Sequence, residues 1–208
     1  MIAKNNISMS VIRRLPRYYR YLSELEKKGI VRISSKELSE KMGFTASQIR
    51  QDFNCFGGFG QQGYGYAVSN LKETIGNILG VQNQRKCILI GAGNLGRALL
   101  SINYKHMGFD LCGVFDISPN VIGSEIRGYT VSDAADLPEF CAEHKPTMAI
   151  ICIPNVSVEE TCDNLCELGI KAFWNFTHCD LSLKYDDVII ENVHLNDSLM
   201  TLSYMLSE

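Results

Sequence analysis

The chain has 208 residues, with 46% hydrophobic and 21% charged side chains and only five prolines, a composition that can bury a core and excludes a disordered or fibrous polymer. Its net charge of −3 conceals an asymmetry: residues 1–86 hold 14 basic and 6 acidic side chains (+8), whereas 87–208 hold 6 and 17 (−11), which points to two parts with different partners, the first a polyanion. No apolar run approaches the roughly 18–20 residues of a membrane span and the N-terminus has no apolar signal segment, so a cytoplasmic protein without a membrane partner is expected.

In chain order, Pro16 sits at the first turn of a predicted helix whose apolar stripe runs Leu15, Tyr18, Tyr19, Leu22 and Leu25 and stops at Gly29. Ser34 and Glu37 read as a capping box for a short helix ended by Gly43. Thr45 and Gln48 read as a second box, opening a helix to about residue 54 with Ile49 and Phe53 inward. Two short helices around a glycine turn spell helix-turn-helix. The glycine-rich, aromatic stretch 56–66 reads as a β-hairpin wing, and a helix over 69–79 closes a winged-helix domain. Its second helix presents Ala46, Ser47, Arg50 and Gln51 outward, side chains short or polar enough to read base edges in a major groove. Arg13, Arg14, Arg17, Arg20, Lys36 and the hydroxyls of Ser34 and Ser35 are candidate phosphate contacts, and Gln61 and Gln62 fall at the wing tip.

Residues 86–90 form a buried-strand pattern running straight into Gly91-Ala92-Gly93-Asn94-Leu95-Gly96 and a helix predicted to about Lys105. Gly91 permits the tight turn, Gly93 lets backbone amides approach a pyrophosphate, and Gly96 permits close packing of helix on strand. A second strand over 111–115 ends in Asp116, whose carboxylate suits the adenosine ribose and repels a 2′-phosphate, so NAD+ or NADH is favoured over the phosphorylated cofactor. Further helices over 133–143 and 158–168, the latter behind a Ser157/Glu160 capping box, alternate with strands over 147–153, 170–176 and 188–193 in a parallel sheet. The nicotinamide is expected beyond the strand ends, near Ile153, Pro154, Asn175 and Phe176. The terminal helix, 195–206, is apolar on more than one face, as a helix buried against a second subunit would be.

The eight cysteines form no C-x-x-C pair and sit mostly in apolar segments, as small core residues of a reducing compartment; no zinc-ligand spacing is present. An NAD-dependent dehydrogenase with an accessory basic N-terminal domain is the rival reading. It needs a proton donor beside the hydride site, for which His178 is the candidate.

The run Ser35-x-Glu-Leu-Ser, then Thr45-x-x-Gln48-Ile-Arg50-Gln51-Asp-Phe, Phe56-Gly-Gly-Phe-Gly and Gly63-Tyr-Gly-Tyr66, followed by the glycine loop, closely resembles the Rex redox-sensing transcriptional repressors over nearly the whole chain. The resemblance implies a winged-helix domain over residues 1–80, an α/β Rossmann NAD(H)-binding domain over 81–194, and a dimerisation helix over 195–208 exchanged between the subunits of a homodimer. It implies a repressor without enzymatic turnover that binds palindromic double-stranded operator DNA when NADH is low and releases it when NADH binds. Matched by position, Gln48, Arg50 and Gln51 fall on the family's recognition helix; with Arg14, Arg17, Ser35, Lys36, Thr45, Ser47, Gln61 and Gln62 they make up the expected DNA-facing set. Arg20 matches an interface arginine implicated in switching. The sequence departs from the family at three places: His194 stands where the family often has the acidic partner of that arginine, Gln62 where many members carry a wing arginine, and Ile102 where a tyrosine is usual, with Tyr104 two residues later.

Overall fold

The structure is a computed structural model that describes residues 7–57 and 64–207, and the chain divides into two compact units, Met1–Gln82 and Asn83–Glu208.

The first unit contains α1 (Met9–Ile12), α2 (Leu15–Lys27), β1 (Arg32–Ile33), α3 (Ser35–Met42), α4 (Ala46–Asn54), β2 (Tyr66–Ala67) and α5 (Val68–Leu79). Pro16 lies in the first turn of α2, where its missing N–H has no partner to lose, and Leu15, Tyr18, Leu22 and Leu25 bury the inner stripe. Each such leucine contributes roughly 1.5–3 kcal/mol by leaving water. The Ser34 box is complete, with Ser34 Oγ accepting from the Glu37 amide at 3.2 Å and Glu37 Oε2 accepting from the Ser34 amide at 2.7 Å. The Thr45 box is only half formed. Thr45 Oγ1 accepts from the Gln48 amide at 3.1 Å, but the Gln48 side chain turns to Asp52, one helical turn on. The return strand of the wing, β2, pairs antiparallel with β1, a strand too short for periodicity to reveal. Gly65, at φ +69, brings its α-carbon so close to Ile33 that a Cβ there would lie 2.8 Å from the Ile33 carbonyl oxygen. The wing tip, with Gln61 and Gln62, lies outside the described residues.

The second unit is a seven-stranded sheet in the order β5 (Glu125–Ile126), β6 (Tyr129–Asp133), β4 (Phe109–Asp116), β3 (Arg85–Ile90), β7 (Met148–Ile151), β8 (Ala172–Asn175) and β9 (Ile189–Asn192), parallel except where β5 meets β6. The chain winds outward from β3 through β4 to β6, then crosses back to β7 and winds the other way. This reversal opens a crevice at the carboxyl ends of β3 and β7. Helices α6 (Asn94–Leu99), α7 (Leu137–His144) and α8 (Val158–Glu167) connect the strands, and α9 (Leu195–Met205) follows β9.

Several boundaries differ from expectation for local reasons. Helix α6 stops at Leu99 rather than near Lys105, where Ser101 Oγ donates to the Ala98 carbonyl and competes with the helical ladder; a 3-10 turn, Tyr104–Met107, follows. Asp133 caps a 3-10 turn through the Ala135 amide, so α7 begins only at Leu137, beside Pro138. Ser157 does not cap α8: its hydroxyl donates to the Pro154 carbonyl at 3.2 Å and the chain enters the helix through a 3-10 turn. The β5–β6 hairpin was not anticipated at all. Its turn contains Arg127 at φ +52 and Gly128 at φ +83. No residue of α9 is buried; Leu199 is 64% and Leu202 51% exposed. Among the described residues no helix is long and apolar enough to cross a membrane.

Burial pushes the thiols of Cys87, Cys152 and Cys162 up to about 12, whereas Cys55 is exposed. Iodoacetamide at neutral pH is therefore expected to modify Cys55 first and the buried Cys87 and Cys162 only under denaturing conditions. Peptide mass spectrometry showing Cys162 alkylated as fast as Cys55 would contradict the buried assignment.

Candidate nucleotide and nucleic-acid sites

In the second unit the buried run Cys87 to Ile90 delivers the chain to Gly91 at the centre of the sheet. The Gly91 amide donates to the Phe115 carbonyl at 2.8 Å, and Gly91 turns at φ +96, where a Cβ would stand 2.5 Å from the Cys152 carbonyl oxygen. A Cβ at Gly96 would stand 1.9 Å from the Gly91 carbonyl oxygen, so helix and strand meet there backbone to backbone. A Cβ built on Gly93 would meet nothing within 4 Å. That open side, at the N-cap of α6, is where the first-turn amides of Asn94, Leu95 and Gly96 have no carbonyl four residues back. Two glycines are thus demanded by the fold, and the third leaves room for something else.

Asp116 ends β4 beside this loop. Its Oδ2 accepts from the Ala92 amide at 2.7 Å and its Oδ1 from the Ser118 amide at 2.8 Å, which fixes the carboxylate and leaves each oxygen a further lone pair for hydroxyl donors. Sequence reasoning missed Arg97. Its Nε donates to the Ala92 carbonyl at 2.9 Å, placing an exposed guanidinium beside the loop of an otherwise acidic unit; the signal was a basic residue directly after the last motif glycine. The residues present fit a dinucleotide phosphate held by backbone amides rather than lysines.

Ile90, Ile151 and Asn175 stand in register across β3, β7 and β8, so the loops after these strands share one edge. Ile153 is half-buried, its Cγ2 3.0 Å from the Cβ position of Gly91, and Pro154 is exposed. Phe176 packs against Trp174 with ring centroids 4.6 Å apart. Asn175 is otherwise engaged: its Nδ2 donates to the Cys179 carbonyl and Asn192 Oδ1, and its Oδ1 accepts from the Thr177 amide and hydroxyl. It organises the loop from within, fully buried, and leaves no polar edge for a cofactor. His178 is exposed, its amide donating to Asn155 Oδ1 at 3.1 Å and tying together the loops after β7 and β8.

In the first unit Ser47, Arg50, Gln51, Lys36 and Thr45 are exposed on α3, α4 and their connection, and Arg50 Nη1 donates to Ser35 Oγ at 3.2 Å. Arg17 lies 4.9 Å from the centre of the Phe44 ring. Two predicted DNA contacts are used differently. Arg14 forms a two-pronged ion pair with Asp52, both bonds 2.7 Å, and Gln48 Nε2 donates to the same carboxylate at 3.0 Å. Tyr18 Oη adds a fourth bond at 2.8 Å. Burial by itself would push the Asp52 carboxyl up; the bonds from Arg14, Tyr18 and Gln48 outweigh it and hold the group below its ordinary value. The bond to Asp52 likewise raises Arg14. Arg14 is therefore bound to the core of its unit rather than free for a phosphate.

The residues expected at the switch are divided between the two units. Arg20 is exposed on α2. Tyr104 is buried with its hydroxyl donating to the Leu99 carbonyl at 3.1 Å, a core role rather than an interface one. His194 stands at the N-cap position of α9 without a side-chain cap bond, with Nδ1 3.6 Å from Asp197 Oδ2 and a buried Nε2 that finds no partner among the described residues.

Comparison with known proteins agrees with both units. The family described as "Putative DNA-binding protein N-terminus" matches residues 6–54, and the "CoA binding domain" family matches residues 82–179. The redox-sensing transcriptional repressor Rex of Clostridium acetobutylicum is 52% identical, covering 100% of this chain and 97% of its own; that of Thermoanaerobacter pseudethanolicus is 54% identical, covering 100% and 93%. Among solved structures, RSP in complex with beta-NAD+ and operator DNA superposes with a TM-score of 0.89 at 54% identity, covering 96% of this chain and 92% of RSP. RSP in complex with beta-NADH gives 0.87 at 51% identity, covering 97% and 95%. With half of all positions identical from end to end and the same two units in the same order, the chain belongs to the Rex family of redox-sensing transcriptional repressors.

Proposed function

We propose that this protein is a cytoplasmic repressor that binds palindromic operator DNA as a homodimer when NADH is low and leaves it when NADH binds. The observation that carries this reading is the glycine loop: the space left open at Gly93, with the Asp116 carboxylate fixed beside it, in a chain whose other unit exposes Ser47, Arg50 and Gln51 on a helix-turn-helix. The relative RSP, solved with beta-NAD+ and operator DNA and separately with beta-NADH, supports the same pairing of ligands. Residues 1–80 read DNA, 81–194 hold the dinucleotide, and 195–208 supply the dimer contact, for which the exposed apolar side chains Leu199, Leu202 and Met205 of α9 are suited.

The coupling is thermodynamic. NADH favours the arrangement of the dimer that does not fit DNA, and linkage makes it weaken DNA binding by the same factor. Asp116 and the loop amides touch parts common to NAD+ and NADH, so the choice between them belongs to the apolar surroundings of Ile153 and Phe176, where burying the nicotinamide cation is costly.

The test is a titration onto a labelled palindromic A·T-rich duplex with and without NADH or NAD+. NADH is expected to dissociate the complex and NAD+ to leave it. Asp116→Ala should weaken NADH binding by about tenfold or more, from the loss of charge-assisted bonds to the ribose, and keep operator affinity. A complex indifferent to NADH would refute the sensor reading, and loss of operator affinity in Asp116→Ala would mean the carboxylate serves folding alone.

A further inference from the structure

The wing sequence, residues 56–66, contains no lysine, arginine, aspartate or glutamate. An uncharged loop gains little from lying against a sugar-phosphate backbone, where affinity comes from cations that displace counterions. Arg32 changes this at the wing root. It is the exposed residue of β1, Ile33 being its buried neighbour, and its Nη1 donates to the Tyr64 carbonyl on the return arm of the wing at 3.1 Å. That bond straps a cation to the wing.

The neighbours of Arg32 belong to the recognition elements. Strand β1 runs into Ser34 and Ser35 at the start of α3, and Ser35 Oγ accepts from Arg50 Nη1 of α4. Three residues of chain reach at most about 11 Å, which bounds the distance from Arg32 to Ser35. Tyr66 of β2 stands opposite Ile33 in the ladder; burial pushes its hydroxyl above the ordinary value, and the charge of Arg50 works against the rise. Recognition helix, start of α3 and wing root therefore adjoin one another. Arg32 also has no competing anion. Arg14 is claimed by Asp52 and Lys72 by Glu26, whereas Arg32 has no ion-pair partner among the described residues. One bond to a carbonyl leaves the rest of the guanidinium fork for the oxygens of a phosphate.

We propose that Arg32 is a DNA-binding residue: braced on the Tyr64 carbonyl, it takes a backbone phosphate at the wing root, one in each half-site. The proposal rests on the DNA-binding reading of the first unit. It puts the wing's electrostatic hold at the root, where the β1–β2 pair fixes it. A phosphate contact carries no sequence information, so Arg32 contributes affinity and register and leaves the choice of sequence to α4.

The experiment titrates full-length protein onto a palindromic A·T-rich duplex and a scrambled duplex of the same composition over a range of salt. Arg32→Gln should weaken binding to both by the same factor and lower the salt slope by about one per bound subunit. Its defect should accordingly shrink about three- to fourfold per subunit between about 50 and 200 mM salt. Arg32→Lys keeps the charge and should retain the slope. Replacing single phosphates of the palindrome by neutral methylphosphonates should expose one position per half-site that weakens the wild type and leaves Arg32→Gln unaffected. An unchanged slope in Arg32→Gln, equal losses in the Gln and Lys variants, or the absence of such a phosphate would make Arg32 a mere brace for the wing and overturn the proposal. A defect confined to the palindrome would make it a base reader and overturn the proposal equally. A wild type that binds neither duplex would overturn the DNA-binding reading itself, a result distinct from all of these.

Discussion

Arg14→Ala is expected to destabilise the N-terminal unit by about 3–5 kcal/mol, a large part of the 5–15 kcal/mol that typically holds a domain together. The two partners are unequal: the Asp52 side chain is 0% exposed, whereas that of Arg14 is 22% exposed. Removing the arginine strands a charge with no route to water; removing the aspartate leaves a guanidinium that can turn to solvent. Asp52→Ala should therefore be the milder change, and Arg14→Met combined with Asp52→Leu milder than Arg14→Ala alone. The pH dependence should reverse as well. In the wild type the Asp52 carboxyl is held below its unfolded value of about 3.9, so the pair's contribution is complete above that pH and is lost as pH falls through the folded value. In Arg14→Ala, burial dominates and the folded carboxyl binds its proton more readily than the unfolded one. That variant should recover stability relative to wild type on acidification. Urea unfolding followed by far-UV circular dichroism at neutral and mildly acidic pH measures both effects. A loss of under about 1 kcal/mol would place the pair with ordinary surface ion pairs. If Arg14 served a phosphate instead, the variant would stay folded and the salt slope of operator binding would fall by about one.

Gly96→Ala should damage the second unit and its ligand together, whereas Gly93→Ala should damage the ligand alone. The added carbon at Gly96 would sit 1.9 Å from the Gly91 carbonyl oxygen, where real contacts essentially never fall below 3.0 Å, so the turn must open. Overpacking of this kind costs about 1–3 kcal/mol or more, and the displaced loop should bind NADH at least about tenfold more weakly. At Gly93 nothing opposes the extra carbon within 4 Å, so thermal stability should hold while the methyl occupies the space proposed for phosphate. Thermal unfolding with and without NADH separates the two. A Gly93→Ala protein stabilised by NADH as well as the wild type would move the phosphate elsewhere.

The parts of the fold readable from sequence were those where one residue type has one physical use. Gly91 and Gly96 fall at the strand-to-helix turn because no side chain fits, and Ser34 with Glu37 closes a cap because both partners are local. What escaped depends on partners distant in the chain. Asp52 and Arg14 are 38 residues apart, and a basic side chain in a basic segment looks like a phosphate contact until the carboxylate that claims it is found. The Thr45-to-Gln48 spacing reads as a full capping box, yet the charge-assisted bond that Gln48 Nε2 donates to the Asp52 carboxylate is stronger than the neutral bond its Oε1 would accept from the Thr45 amide, and it wins the side chain. Asn175 ends β8 at the expected edge of the sheet, but two bonds to Thr177, one to Cys179 and one to Asn192 of β9 consume the side-chain groups a cofactor would need. The β5–β6 hairpin went unseen because a two-residue strand carries no alternation to detect.

The bond between Asp116 and the Ala92 amide means that the phosphate loop already contains an anion of its own. A cell holds abundant orthophosphate and other small oxyanions, and a bare cluster of helix-end amides would collect them indiscriminately. A resident carboxylate repels such background ions, which bring nothing to offset the repulsion. A dinucleotide bound as proposed does bring something, since its ribose hydroxyls would donate to the same carboxylate. On the proposed reading, one side chain therefore acts as a filter and a docking point, tuning the loop to dinucleotides over free oxyanions.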